Sequence, residues 1–493
     1  MNISSSRKIF LAALLLLGLA IRLYDLTNPP LDFHPTRQIL SLQKARGMYY
    51  QTRADLPADE RAFAVRQWKI VAAIEPEVLE NLVAFTYRFT GEQMWVARVY
   101  SSLFWVISAL FLFLLAREFF PAQAALAAAA AYLFLPYAVL ASRSFQPDPL
   151  MVALIVIFWW AAVRWAKKPT SYQWALLAGL VGGFAIYIKF VAAFFVVAGG
   201  LGAVLGRESI LQAMRRPQLY LMAALGAAPG AAYVIYGVWV SGYLGQQFGG
   251  RFMPALFLSP AYYLGWASML NLVAGAGVLV AALLGLFLAR ERAAFRFLLA
   301  LWLGYFVFGL YFNYHISTHD YYSLPLIPIL ALSLAPLAEL LFAPFLVDAA
   351  APRLRLTLAL ILVGGLFLHL WGIRAQLKAQ DFRAEPAKWQ EISALFDKDA
   401  RLVGLVEDYG ARMAYFGGRP IKAWYAYGDF YYHENRGAQF NFDSFFAEET
   451  AKRDYFIVTD FDELAKLPPL KERLAQYPIA FTGEGYVIYN LQP

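Results

Sequence analysis

The sequence predicts an α-helical polytopic membrane protein that ends in a soluble α/β domain. Three observations carry that reading. Of 493 residues, 60% are hydrophobic and only 15% are charged, with a mean hydropathy of +0.50; soluble domains average about 45–50% apolar and about 25% charged. Apolar runs close to the ~20 residues that a bilayer requires recur along the first 374 positions. After Arg374 the charge density rises sharply: residues 375–493 hold 14 Lys/Arg and 18 Asp/Glu. An ordinary soluble enzyme, a disordered chain and a nucleic-acid-binding module are excluded. The basic balance (formal net charge +8) belongs to the part before the acidic tail, so it argues for no nucleic-acid partner. With no cysteine, disulfides, thiolate catalysis and Cys-ligated zinc are also excluded.

About eleven spans are expected, within a range of 10–13. The first runs from Ile9 to about Leu26 and reads as a signal-anchor, because no small-x-small cleavage site follows it. The others cover 95–116, 121–141, 149–166, 172–188, 190–206, 217–240, 263–289, 295–314, 322–343 and 355–374. The pair flanking Lys189 reads either as one long helix or as two short ones meeting at a tight turn. With the N-terminus inside, the cytoplasmic connections carry 14 basic residues, from Arg7 and Lys8 to Arg353 and Arg355, whereas the short outer connections carry only Arg143, Lys189 and Arg251. This asymmetry places loop 27–94 and the tail on the outer face of a cell inner (plasma) membrane. Two domains are expected: a transmembrane domain over 1–374, including the outer loop, and an extracytoplasmic α/β domain over 375–493.

The outer loop is too long for a simple connector and holds eight Lys/Arg and eight Asp/Glu. Two stretches in it read as amphipathic helices at the interface. One is 36–51, with Ile39, Leu42, Ala45, Met48 and Tyr49 at helical spacing; the other is 77–90, with Leu79, Leu82, Val83, Phe85 and Phe89. Asp55 to Glu60 reads as a polar break between them. In the tail, helices are expected at 386–396, 409–416 and 461–475, and strands at 401–407, 420–425, 455–460, 477–482 and 485–491. No Gly-rich phosphate loop opens any of these helices, so the tail reads as a scaffold or recognition domain.

Ionisable groups at membrane depth are costly and point to function. Four clusters stand at the outer ends of spans. Leu31-Asp-Phe-His-Pro-Thr-Arg-Gln38 sets Asp32 and His34 one residue apart, with Arg37 on the following helix. A carboxylate beside an imidazole suits a general base or a metal-ligand pair, although polar residues also mark any helix start. Ile74-Glu-Pro-Glu-Val-Leu-Glu80 offers Glu75, against the simpler reading that acidic residues favour a helix N-terminus. Ser142-Arg-Ser-Phe-Gln-Pro-Asp-Pro149 holds Asp148 rigidly between two prolines, where an N-cap is the simpler reading. Asn313-Tyr-His-Ile-Ser-Thr-His-Asp-Tyr-Tyr322 combines His315, His319 and Asp320 with Tyr321 and Tyr322, more than an interfacial aromatic belt needs. Lys189 and Arg251 are isolated outer cations that either hold an anion or snorkel. His369, alone in the last span, reads as a satisfied intramembrane polar residue. The clusters together suit an amphiphilic substrate with a phosphate at headgroup level.

The chain resembles the GT-C membrane glycosyltransferases, in particular the family 39 or protein-mannosyltransferase-like group that includes aminoarabinose transferases. The resemblance spans about 1–345. It rests on Asp32-Phe-His34, Glu75-Pro, Tyr87-Arg-Phe-Thr-Gly-Glu92 with Arg98, Gln146-Pro-Asp148-Pro, and His319-Asp-Tyr-Tyr-Ser-Leu-Pro325-Leu-Ile-Pro328. It implies a sugar donor linked to polyprenyl phosphate, an acceptor hydroxyl on a protein, lipid or glycan, and inverting transfer on the outer face. The family's first-loop acidic residue becomes Asp32 as base and its second-loop Asp becomes Asp148. Aligning on Thr36-Arg37 instead puts His34 on the usual Asp, so Asp32 and His34 both stand as the base. A divalent cation (Mg, Mn or Zn) is a candidate cofactor, with Glu75 and Asp148 as its ligands. Arg37, Glu75, Lys189, Arg251, His315, His319, Asp320, Tyr321 and Tyr322 are the expected substrate-binding residues. A lipid-linked-sugar flippase or other transporter is the alternative. It would need neither a charged outer loop nor an outer α/β domain, and no internal repeat of the transporter kind is visible. A non-catalytic scaffold is a third reading, which the polar clusters oppose.

Overall fold

The computed structural model describes residues 4–72, 74–245, 251–343 and 352–492. The chain divides into two compact units. One comprises Met1–Thr27, Ala72–Leu82 and Trp95–Gln380; the other comprises Asn28–Val71, Val83–Met94 and Asp381–Pro493. This grouping differs from a single cut at 374/375, because most of the outer loop packs with the tail.

The first unit is helical and apolar. Among the described residues, Trp95–Ala116, Asp148–Lys167, Pro217–Val240, Arg292–Tyr311 and Pro352–Ala379 are long and apolar enough to cross a membrane unbroken. Shorter apolar helices cover Ala122–Phe134, Tyr172–Ile188, Ala192–Leu205 and Leu326–Phe342. Several expected spans are therefore interrupted, each for a local reason. Span 121–141 breaks at Leu135, since the residue before Pro136 is driven out of the helical region. The pair around Lys189 resolves as two helices, with Lys189 itself extended (φ −156, ψ 119). Span 263–289 bends by 89° between Pro260–Ala274 and Ala276–Leu288. Gly275 supplies the bend at φ +76, a conformation that costs glycine little, and Asn271 Oδ1 accepts the freed Ala276 N–H at 3.1 Å. Arg22, fully buried, donates to Ser142 Oγ (2.7 Å), Gly18 O (2.8 Å) and Leu133 O (2.9 Å), which ties the first helix to the end of the third-span region.

The second unit is built on a five-stranded sheet, β1 (Leu402–Leu405), β2 (Lys422–Ala423), β3 (Tyr455–Val458), β4 (Ile479–Gly483) and β5 (Tyr486–Asn490), in the order β2-β1-β3-β5-β4. β1 runs parallel to β2 and β3, and β5 runs antiparallel to β3 and β4. Side chains alternate across the pleat. Leu402, Ile457 and Ile488 meet Trp389, Ile392 and Met413 on one face; Val403, Leu405, Phe456 and Val458 meet Phe446, Leu464, Leu470 and Leu474 on the other. The helices Tyr427–Glu434 and Phe442–Thr450 were not expected, and 461–475 is interrupted before Pro468.

The outer-loop helix Pro35–Tyr50 corrects the interfacial reading of 36–51. Its polar side is buried too, at Gln38, Gln43 and Lys44, so it is an interior helix of this unit and not a surface stripe. Gln43 Nε2 donates to Ala411 O (3.2 Å), and Thr36 Oγ1 donates to Asp408 Oδ1 (2.7 Å). Arg46 donates to Glu92 Oε1 (2.8 Å) and to Tyr415 O (2.5 Å), and its guanidinium lies 3.6 Å over the Tyr415 ring. The stretch expected as a polar break instead starts a further helix, Ala58–Ile70, with Asp59 and Glu60 in its first turn.

Candidate active site

The structure gathers most of the expected binding residues of the helical unit around Lys189. Lys189 is extended between two helices, and its side chain is buried, 7% exposed. Its Nζ stands 2.9 and 3.1 Å from the two carboxylate oxygens of Asp148 and 3.8 Å from Glu75 Oε1. Asp148 is 2% exposed and opens the helix Asp148–Lys167, where the N-terminal dipole favours its charge. Its partner is Lys189, so the expectation of a plain N-cap does not account for it. The same ammonium lies 5.2 Å from the ring centre of Tyr321 and 5.7 Å from that of Tyr322.

A second cation approaches through Tyr322, whose hydroxyl accepts from Arg251 Nη1 at 3.2 Å. Asn313, fully buried, fixes the segment that carries Arg251: it accepts from Met253 N (3.2 Å) and donates to Met253 O (2.8 Å). His315 stacks on Tyr322 with ring centres 5.0 Å apart and lies 5.6 Å from His319, whose Nδ1 meets Thr318 Oγ1 at 2.7 Å. Burial, followed by the charges of Arg251, His319 and Lys189, pushes the His315 imidazole down to about 3. That environment disfavours a positive charge on the ring. Asp320 lies beside Tyr137, which also faces Asp148. Tyr137 was not singled out from the sequence; the only available signal was Pro136 interrupting an apolar span. Tyr233 is a second omission. With Ile186, Tyr187 and Phe190 it lines a small apolar cleft that reaches Glu75 and Lys189.

Glu75 and Asp148, the expected metal ligands, both face the Lys189 ammonium. Among the described residues, no three His, Asp or Glu side chains converge as a metal site needs. The donor set does not fit a resident divalent cation, because a lysine already stands between the two carboxylates. Asp32, His34 and Arg37 belong to the other unit. There, His34 caps the helix Pro35–Tyr50 at φ +46, a left-handed conformation uncommon for a side-chain-bearing residue. Gln38 Nε2 braces this turn by donating to Phe33 O (2.7 Å), and the Arg37 N–H donates to His34 O (3.0 Å). His369 bonds Phe134 O at 2.7 Å, as a satisfied intramembrane group should.

Residues 75–236 match the family model described as dolichyl-phosphate-mannose-protein mannosyltransferase. No curated protein sequence matches the chain. Among solved structures, ArnT from Cupriavidus metallidurans in the apo state superposes with a TM-score of 0.57, covering 98% of this chain and 97% of its own at 15% identity. The fold is that of a GT-C membrane glycosyltransferase. The same GT-C arrangement is shared by ArnT bound to undecaprenyl phosphate (TM-score 0.56, 15% identity, 98% of this chain and 97% of that one). It extends to the oligosaccharyltransferase AglB from Archaeoglobus fulgidus, solved with an inhibitory peptide and a dolichol-phosphate, at 13% identity and a TM-score of 0.54 over 99% of this chain and 75% of that one. An Archaeoglobus fulgidus oligosaccharyltransferase was also solved with Zn and sulfate.

Proposed function

We propose that the protein is an integral-membrane glycosyltransferase that moves a sugar from a polyprenyl-phosphate donor to an acceptor hydroxyl outside the cytoplasm. The observation that carries this is the approach of two cations, Lys189 and Arg251, to Tyr322. An amphiphile with an anionic head fits such a site. Nucleotide sugars are not available outside the membrane, so a lipid-linked donor is the chemically consistent choice. ArnT and AglB, which share the fold, carry undecaprenyl phosphate and dolichol-phosphate in their structures.

In the proposed reaction the acceptor oxygen attacks the anomeric carbon as the bond to the phosphate oxygen breaks. The electron pair leaves on the phosphate, and the hydroxyl proton passes to a base. One displacement inverts the anomeric centre. Polyprenyl phosphate is a good leaving group, so the base and the charge stabilisation matter most. Asp32 is assigned as the base on the resemblance; Lys189 and Arg251 receive the phosphate charge. Asp148 and Glu75 hold Lys189 in position. We place the N-terminus in the cytoplasm, with loop 27–94 and the tail outside, in a cell inner membrane.

The test is sugar transfer from a polyprenyl-phosphate sugar by purified protein. Asp32→Asn should lower the rate by about 10²–10⁴, while His34→Gln should retain most of it. The reverse order would move the base to His34, and near wild-type rates in both would refute the assignment. The sugar and the acceptor are named by mass spectrometry of glycans from cells with and without the gene.

A further inference from the structure

His315 has a property that the proposed transfer does not yet use. Its Nδ1 is buried and has no hydrogen-bond partner among the described residues. The ring is held from three sides: stacked on Tyr322, edge-on to Phe312 (6.4 Å) and edge-on to Tyr314 (5.5 Å). The charged groups that act on it are all cations or potential cations, Arg251, His319 and Lys189. Asp320, the nearby carboxylate in sequence, is engaged with Tyr137 instead. A buried ring nitrogen without a partner among the described residues thus sits where burial and nearby cations disfavour a proton, and two of those cations, Arg251 and Lys189, are the ones assigned to the donor phosphate.

We propose that His315 is a phosphate ligand that takes up a proton when the anion enters: neutral in the empty site, it becomes the imidazolium partner of the polyprenyl phosphate held by Arg251 and Lys189. This rests on the donor reading above. The physical argument is charge balance. A phosphate monoester brings up to two negative charges to a site whose cations otherwise repel a proton from His315. Once the anion offsets Arg251 and Lys189, protonation of the imidazole adds a charge-assisted hydrogen bond. During transfer the phosphate passes from one negative charge to two as the sugar–oxygen bond breaks. The proton that His315 accepts comes from solvent, and the acceptor's proton still goes to the base, so atoms and charges balance. His315 would therefore bind the product form of the carrier more tightly than the sugar-loaded form.

The chain has five histidines, which makes direct observation feasible. Nitrogen-15 histidine NMR of the full protein in nanodiscs, with the His315 signal assigned by its loss in His315→Gln, should show a ring that stays neutral between about pH 5 and 8. Saturation with undecaprenyl phosphate should bring its titration into that window. In parallel, undecaprenyl phosphate should bind the wild type about tenfold more tightly than His315→Gln near pH 6, and equally at high pH. A His315 that titrates normally without lipid, or stays neutral with lipid bound, overturns the inference while leaving the donor reading intact. Failure of undecaprenyl phosphate to bind the wild type at all overturns both.

Discussion

Lys189 and Asp148 show how much one buried pair can decide. Each is nearly inaccessible, and each supplies the other's main opposite charge. Removing one partner from such a pair typically costs about 3–5 kcal/mol, because the other charge is left buried and uncompensated. Asp148→Asn should therefore lower the thermal unfolding midpoint as well as transfer activity. The double variant Asp148→Asn with Lys189→Met should regain much of the stability while remaining inactive. A single Asp148→Asn protein with an unchanged midpoint would mean that the pair is not holding the site. Proximity in sequence gave no warning of this pair, since 41 positions separate the two residues.

At the scale of elements, the outer loop is the informative case. Its helix Pro35–Tyr50 is legible from periodicity, but its neighbours are not. Gly47 permits the close approach of Ala58–Ile70: a Cβ added there would sit 2.4 Å from Trp68 Cβ and 2.8 Å from Ala64 O. Because backbone as well as side chain would have to move, Gly47→Ala should destabilise the second unit by about 1–3 kcal/mol. Denaturant unfolding followed by circular dichroism would measure it, and an unchanged midpoint would show that the two helices can separate freely. The breaks at Leu135, Lys189 and Gly275 follow the same logic. Proline and glycine signal where a helix can end, but an apolar run does not say whether it will. The absence of either residue at Lys189 is why that pair stayed ambiguous in the sequence.

For the whole molecule, the charge asymmetry predicts topology. Fourteen basic residues fall on one set of connections and three on the short connections of the other. A reporter that is active only outside the cytoplasm, fused after Pro493, should be active. A reporter active only inside should be silent at that position. The opposite pattern would place the tail, and with it the outer-loop residues, on the cytoplasmic side, where nucleotide sugars are present.

Composition and periodicity by themselves determined the class of this protein: a helical membrane chain, an α/β tail and four polar clusters at one set of helix ends. These are local or averaged properties, and hydrophobic patterning reports them directly. Only the tertiary structure decided which polar residues meet. It joined Glu75, Asp148 and Lys189 into one ion-paired group and buried His315 near cations, where a positive charge on its ring is disfavoured. It also showed that the presumed metal carboxylates already share an ammonium, and it enclosed the polar side of a loop helix within the tail's unit. The reason is physical. Burial and Coulombic interaction depend on distance in space, and residues dozens to hundreds of positions apart acquire that distance only when the chain packs.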